Sequence, residues 1–137
     1  MSLDRVIVVG ASHAGAQLCS SLRQEGWTGE IVLLGDEAGP PYHHPPLSKT
    51  FLTGNASLED LLIRAPDFYA KQGITLMTGR VTAIQRETHS LLLADGSSLS
   101  YDKLALCVGA RPRLLPLPGI GLPGVHLLRT LAALNGI

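Results

Sequence analysis

The feature that most constrains this chain lies near its start, in VIVVGASHAG, residues 6 to 15. Val6 to Val9 is an unbroken β-branched run, the pattern of a strand buried on both faces, and such strands belong to parallel sheets. Gly10 ends the run. From His13 to Glu25 the apolar positions Ala14, Leu18 and Leu22 recur at helical spacing, and Gly26 supplies a stop. A second buried run, Ile31 to Leu34, follows. The opening segment therefore reads as β-α-β with short connections, a unit whose crossover is right-handed in nearly all known sheets.

A turn of this kind suits the pyrophosphate of a dinucleotide, because a helix N-terminus offers unpaired N–H groups and the positive end of its dipole. Gly10 serves the tight turn after the strand, and Gly15 lets helix and strand pack closely. Ser12 replaces the middle glycine of G-x-G-x-x-G; it is small enough to permit binding but crowds the phosphate. Taken alone, the turn is a weak signal. Gly35-Asp36-Glu37 strengthens it by closing the second strand about 20 residues further on, where an acid accepts hydrogen bonds from ribose hydroxyls. Asp36 fills that place. The competing reading makes Asp36 and Glu37 solvated loop carboxylates.

Downstream, GPPYHHPP (39 to 46) contains four prolines and reads as a loop of fixed shape. A short helix is expected from Pro46 or Leu47 to Gly54, and another from Pro66 to Gln72, closed by Gly73. A strand follows over Ile74 to Met77. Residues 81 to 106, with the turn dipeptide Asp95-Gly96, have the pattern of a β-meander or hairpin. The last strand, Lys103 to Val108, repeats the opening motif by running aliphatic residues into Gly109. Beyond it, ARPRLLPLPGIGLPG reads as an extended connector.

The chain's 137 residues allow one domain with a core of its own. Basic and acidic residues balance at 11 each and only 16% of residues are charged, so no nucleic-acid partner is expected. The apolar run at Val6 is too short to cross a bilayer and lacks the basic flank of a signal sequence. A cytoplasmic protein without a membrane partner is expected. Cys19 and Cys107 lie far apart among aliphatic neighbours, unlike a zinc site or a Cys-x-x-Cys pair, and read as buried free thiols. His43 and His44 stand side by side on a proline loop with no evident third ligand, so no metal site is assigned.

Five stretches, VIVVGASHAG, EGWTGEIVLLGDE, PPYHHPPLSK, CVGARPR and HLLRT, occur in an order that resembles a known family. It is the N-terminal FAD-binding segment of the ferredoxin, rubredoxin and putidaredoxin reductases, within the pyridine nucleotide-disulfide oxidoreductase superfamily. The resemblance covers nearly the whole chain, and P-P-L-S-K and G-A-R-P-R are its most specific parts. It implies an α/β, Rossmann-like FAD/NAD(P)-binding fold, a parallel sheet with an inserted antiparallel β-meander. Residues 1–110 would be the N-terminal, incomplete part of the FAD-binding domain, and 111–137 a connector toward an NAD-binding domain outside the chain.

The resemblance also implies roles for individual residues. Gly10, Ser12, Ala14 and Gly15 would surround the FAD diphosphate, with Ala14 contacting it through its backbone. Asp36 would hold the adenosine ribose, and Val81 would meet the adenine through its main chain. Lys49 would lie beside the isoalloxazine near N5, Gly109 would belong to the cofactor-binding set, and Arg129 would approach the flavin from the connector. A cation there stabilises the anionic reduced ring. Without the resemblance, Lys49 and Arg129 read as ordinary solvated surface residues. No catalytic side chain is implied.

The activity implied is transfer of a hydride from NAD(P)H to FAD, and of single electrons onward to a ferredoxin-like iron-sulfur protein or a rubredoxin. Disulfide-reducing relatives carry redox cysteines on the helix bearing P-P-L-S-K, and neither Cys19 nor Cys107 lies there. A second glycine-rich turn for the nicotinamide nucleotide is missing from the sequence. The expectation is a fragment or truncated gene product that does not oxidise NAD(P)H unaided and forms a homo-oligomer through an exposed edge. Two other readings stay open: a non-catalytic nucleotide-binding or interaction module, and an NAD-only Rossmann dehydrogenase. The last lacks a tyrosine-lysine or histidine arrangement to support it.

Overall fold

Strand β1 (Arg5–Val9) leads into helix α1 (His13–Gln24) and strand β2 (Glu30–Gly35) in the computed structural model, which describes residues 4 to 137. After the proline loop come α2 (Leu58–Leu61), α3 (Phe68–Lys71), β3 (Ile74–Thr78), β4 (Val81–Gln85), β5 (Ser90–Leu93), β6 (Ser98–Ser100), β7 (Lys103–Leu106) and α4 (Leu131–Asn135). The chain divides into two compact units. One comprises the chain up to Tyr42 together with Ile63–Val108, and the other comprises His43–Leu62 together with Gly109–Ile137.

In the first unit a four-stranded parallel sheet has the order β3-β2-β1-β7. That order places the first strand centrally, as in one nucleotide-binding half of a doubly wound sheet. Strands β4-β5-β6 form a separate antiparallel sheet, with Gly96 at φ +86° in the Asp95-Gly96 turn. The α/β class with an inserted meander, expected from the sequence, is the class the chain adopts.

Side chains alternate across a strand, so β1 divides its apolar run between two faces. Val6 and Val8 pack with Cys19, Ile31, Leu33, Tyr69 and Ile74 on the side of α1 and α3. Ile7 and Val9 pack with Val32, Leu34, Leu91 and Leu93 on the side of the meander. A strand covered on both faces gains from apolar residues at every position, which is why Val6 to Val9 shows no alternation. Ile7, Val8, Leu33 and Leu34 are fully buried, each contributing roughly 1.5–3 kcal/mol relative to exposure.

Arg23, in the last turn of α1, fastens the helical side. Its Nε donates to the Gln72 carbonyl at 2.7 Å, Nη1 to Trp27 and Gly29 at 2.7 and 2.9 Å, and Nη2 to Gly73 at 2.8 Å. One guanidinium thus satisfies carbonyls left over at the end of α3 and in the loop before β2.

Several elements differ from their expected extents. The helix expected from Pro46 or Leu47 to Gly54 is a 3-10 helix over Pro45–Ser48 followed by turns. The backbone there leaves the i→i−4 pattern: the Phe51 N–H donates to the Pro46 carbonyl at 3.0 Å and the Asn55 N–H to the Thr50 carbonyl at 2.8 Å. Helix α3 covers only the middle of the expected span, since Pro66 and Asp67 remain in the preceding turn. Strand β7 stops at Leu106 rather than Val108, although the Cys107 N–H still donates to the Val9 carbonyl at 2.7 Å. Helices α2 and α4 lie outside the expectation altogether. A capping box starts α2: Ser57 N–H and Oγ donate to Asp60 Oδ2 at 2.7 and 2.8 Å, and Asp60 N–H returns to Ser57 Oγ at 3.3 Å. These bonds hold the Asp60 carboxyl below its ordinary range. Thr130 Oγ1 starts α4 by accepting from the Ala133 N–H at 3.1 Å.

Of the two thiols, Cys19 is buried as expected while Cys107 is only partly so. Among the described residues, no helix is long and apolar enough to cross a membrane.

Candidate functional site

Val9 pairs with Leu34 of β2 and Leu106 of β7, and Gly35 pairs with Thr78 of β3. The residues that follow these strands therefore gather at one end of the parallel sheet. It is the carboxyl end, where open α/β sheets hold their ligands.

The turn after β1 is locked backbone against backbone. Gly10 has φ +112°, and a Cβ on it would stand 1.9 Å from the Cys107 carbonyl oxygen, so no other residue fits. Its N–H donates to the Leu34 carbonyl at 2.8 Å. A Cβ on Gly15 would lie 1.9 Å from the Gly10 carbonyl oxygen and 3.1 Å from Leu33 Cδ1. Gly10 makes the tight turn and Gly15 the close helix packing, as their spacing predicts. A third glycine matters as well: a Cβ on Gly35 would stand 2.6 Å from the Ala11 Cβ. Its position at the end of the second strand was the only available signal.

Ser12 is the N-cap of α1, with φ −133° and ψ −151°. Its carbonyl accepts from the Ala16 N–H at 2.9 Å, which begins the helix. Its side chain makes no capping bond to the helix, and no acidic residue occupies the first turn. His13 and Ala14 are exposed, while Gly15 and Ala16 are buried. The start of this twelve-residue helix thus carries positive potential, with no acid in its own first turn to oppose it.

Asp36 is exposed directly after β2. Its neighbour Glu37 accepts a hydrogen bond from the buried Tyr42 hydroxyl at 2.5 Å, which ties the start of the proline loop to the strand end. The Gly79 N–H donates to the Gly35 carbonyl at 2.8 Å, carrying the β2–β3 pairing up to the start of β4. Val81 opens β4, half-buried against the meander-side core, at a register shift between Val81 and Ala83.

The second unit holds the remaining candidates. Lys49 is exposed at the C-cap of the 3-10 helix, its N–H donating to the Pro46 carbonyl at 3.0 Å. Gly109 has φ +64°, and Arg129 Nη2 lies 3.5 Å from where a Cβ on it would stand. The same nitrogen donates to the Ala110 carbonyl at 3.3 Å, so Arg129 closes the intervening loop onto its own beginning. Gly10, Ser12, Ala14, Gly15, Asp36 and Val81 are thus gathered at one end of the sheet. Gly109 and Arg129 meet each other in the second unit, which also carries Lys49. Among the described residues, no group of three His, Cys, Asp or Glu side chains is placed to hold a metal ion.

A parallel sheet in this order, with a glycine-locked turn opening a helix at its carboxyl end, defines a dinucleotide-binding α/β protein. The sequence profile of the pyridine nucleotide-disulphide oxidoreductases matches residues 4–137, and the chain belongs to that family. This sets aside the NAD-only dehydrogenase reading. The chain is 48% identical over 114 residues to putidaredoxin reductase CamA of Pseudomonas putida, covering 82% of this chain and 27% of that protein. It is 44% identical over 126 residues to rhodocoxin reductase of Rhodococcus erythropolis, covering 91% of this chain and 30% of the relative. Among solved structures, a ferredoxin reductase from Rhodopseudomonas palustris superposes with a TM-score of 0.89 at 42% identity, over 96% of this chain and 33% of that one. The chain spans about a third of the length of the relatives it matches.

Proposed function

We infer that this chain is the FAD-binding region of an NAD(P)H-dependent ferredoxin or rubredoxin reductase. The observation that carries it is the turn at Gly10 to Gly15, locked by backbone packing at the carboxyl end of the sheet, where α1 begins with no acid in its first turn. The residues present suit the group. The mouth of α1, including the Ala14 backbone, would hold the diphosphate, and Asp36 would accept from the ribose hydroxyls. The Val81 main chain would meet the adenine. Lys49 and Arg129 would supply positive charge to the flavin ring, with Gly109 beside Arg129. When bound, FAD supplies hydride acceptance from NAD(P)H and one-electron release. The electron acceptor would be a ferredoxin-like iron-sulfur protein or a rubredoxin.

In this reading residues 1–110 form the FAD-binding part and 111–137 a connector toward an NAD-binding domain. The balanced charge argues against a nucleic-acid partner, and a cytoplasmic location without membrane association fits the fold. Self-association through the sheet edge at β7 follows from its terminal place in the strand order and from Leu106 and Val108, 56% and 67% exposed.

The test is flavin retention. The purified chain, mixed with FAD and passed through a desalting column, is expected to keep the flavin absorption band, and Asp36→Ala is expected to weaken binding by about tenfold. Absence of any flavin binding would overturn the reading. Mixed with NADH and a dye acceptor, the chain is expected to show no turnover, because its sequence holds no second glycine-rich turn. Turnover at the rate of an intact reductase would refute that part.

A further inference from the structure

We propose that Cys19 and Cys107 form a peroxide-sensitive thiol pair, joined on oxidation by an intramolecular disulfide that clasps α1 to the end of β7 behind the glycine turn. Far apart in sequence, the two residues come to one face of the parallel sheet. Along β7 the side chains alternate: Leu104 packs on the meander side, while Ala105 and Cys107 pack against the cluster of Val6, Val8 and Cys19 on the helical side. Cys19 enters that cluster from the inward face of α1, which buries Gly15, Ala16, Cys19 and Ser20.

Backbone contacts fix how closely these elements approach. A Cβ on Gly10 would stand 1.9 Å from the Cys107 carbonyl oxygen, and a Cβ on Gly15 would stand 1.9 Å from the Gly10 carbonyl oxygen. The first turn of α1 and the residue after β7 therefore converge on Gly10, and Cys19 stands one helical turn beyond Gly15. The Cys107 N–H, bonded to the Val9 carbonyl at 2.7 Å, holds the strand end in place. Burial pushes the Cys19 thiol up to about 12 and the Cys107 thiol adds to that push, so each sulfur lies within electrostatic reach of the other. The pair is in the first unit and not on the P-P-L-S-K segment.

Unequal exposure sets the order of events, because Cys107 is half-buried and Cys19 is fully buried. Hydrogen peroxide reaches the Cys107 sulfur first: an S–O bond forms, the O–O bond breaks, and a sulfenic acid and water result. The Cys19 sulfur then attacks the sulfenic sulfur. The S–S bond forms, the S–O bond breaks, and the hydroxyl leaves as water with the Cys19 proton. Two thiols and one peroxide thus give one disulfide and two waters, and an added dithiol reverses the change. Burial of Cys19 as a neutral thiol makes the second step the slower one.

The experiment treats the reduced full chain with hydrogen peroxide, natively and in urea, and maps its peptides by mass spectrometry without reductant. A crosslink between the Cys19 and Cys107 peptides is expected, formed about tenfold or more faster in the native chain than in urea, where the sulfurs must meet by loop closure. Dithiothreitol should remove it. Cys19→Ser should leave a Cys107 sulfenic acid that dimedone traps, and Cys107→Ser should show neither product. The crosslinked chain should unfold at higher denaturant than the reduced one. Oxidation of Cys107 to a sulfinic acid without a crosslink, disulfides only between chains, or equal crosslinking in urea would each overturn the proposal. So would a crosslinked chain that unfolds at lower denaturant, since the native fold would then hold the thiols out of register. The map of the unaltered chain decides the matter even if either variant fails to fold.

Discussion

Gly15 sits in a helical turn, so space alone decides what a side chain does there. A Cβ 1.9 Å from the Gly10 carbonyl oxygen cannot be accommodated without moving the turn. Gly15→Ala is expected to lower stability by about 3 kcal/mol or more in chemical denaturation. Gly26, at φ +92° with nothing within 4 Å, is the contrasting case. There Gly26→Ala should cost only about 1–2 kcal/mol, from backbone strain; similar losses at both sites would contradict the locked turn. Cys19 makes a pH prediction. Burial, aided by the Cys107 thiol and opposed by Arg23, pushes its thiol from 9.0 up to about 12. The fold therefore favours the neutral thiol. Its contribution to stability is complete below about pH 9 and is lost as pH climbs toward 12, which denaturation midpoints along that range should register. Thiol-directed alkylation of the native chain should reach Cys107 first. The spacing of Gly10, Gly15 and Asp36 was legible in the sequence because each answers a local demand of turn or strand end. The importance of Gly35 was not, because it depends on Ala11 standing opposite, a contact made only in three dimensions.

Helix α1 is fastened to its surroundings through one side chain, and the consequence is measurable. Arg23→Met keeps much of the aliphatic stem but forfeits four hydrogen bonds to loop and helix-end carbonyls, and should cost about 2–3 kcal/mol. Tyr69 on α3 points the other way. Its side chain is buried, its hydroxyl has no hydrogen-bond partner among the described residues, and burial raises its pKa. Tyr69→Phe should therefore leave stability unchanged or raise it by up to about 1 kcal/mol, and a clear loss would show that the hydroxyl is satisfied. The strands and α1 could be read from the sequence because burial writes their residues: β1 and β2 are apolar throughout, and α1 carries a periodic stripe. Helices α2 and α4 could not, for a physical reason. Each is only a turn or so long and is started by a cap, Ser57 with Asp60 or Thr130, while Leu58, Glu59 and Asp60 are exposed, so no apolar period marks the element. The helix expected from Pro46 or Leu47 to Gly54 is instead a 3-10 turn over Pro45–Ser48, because the backbone beyond it bonds out of helical register, Phe51 to Pro46 and Asn55 to Thr50, which no side-chain pattern marks.

At the scale of the whole molecule, the strand order leaves β3 and β7 at the two ends of the parallel sheet. Beside β7, Leu106 and Val108 are exposed, and an uncapped apolar edge invites a second chain. Light scattering is expected to show self-association that grows with concentration, and Val108→Lys should reduce it; a clean monomer throughout would count against the edge. The same topology orders events in time. Val6 pairs with Ile31 nearby in the chain, but its other partner is Lys103. A ribosome delivers β1, α1 and β2 long before the strand that flanks β1 on its far side exists, and such distant pairings are slow to form. Gly10 nests against Cys107, just beyond that late strand. The glycine turn after β1 can therefore close into its final form only once synthesis has passed that cysteine.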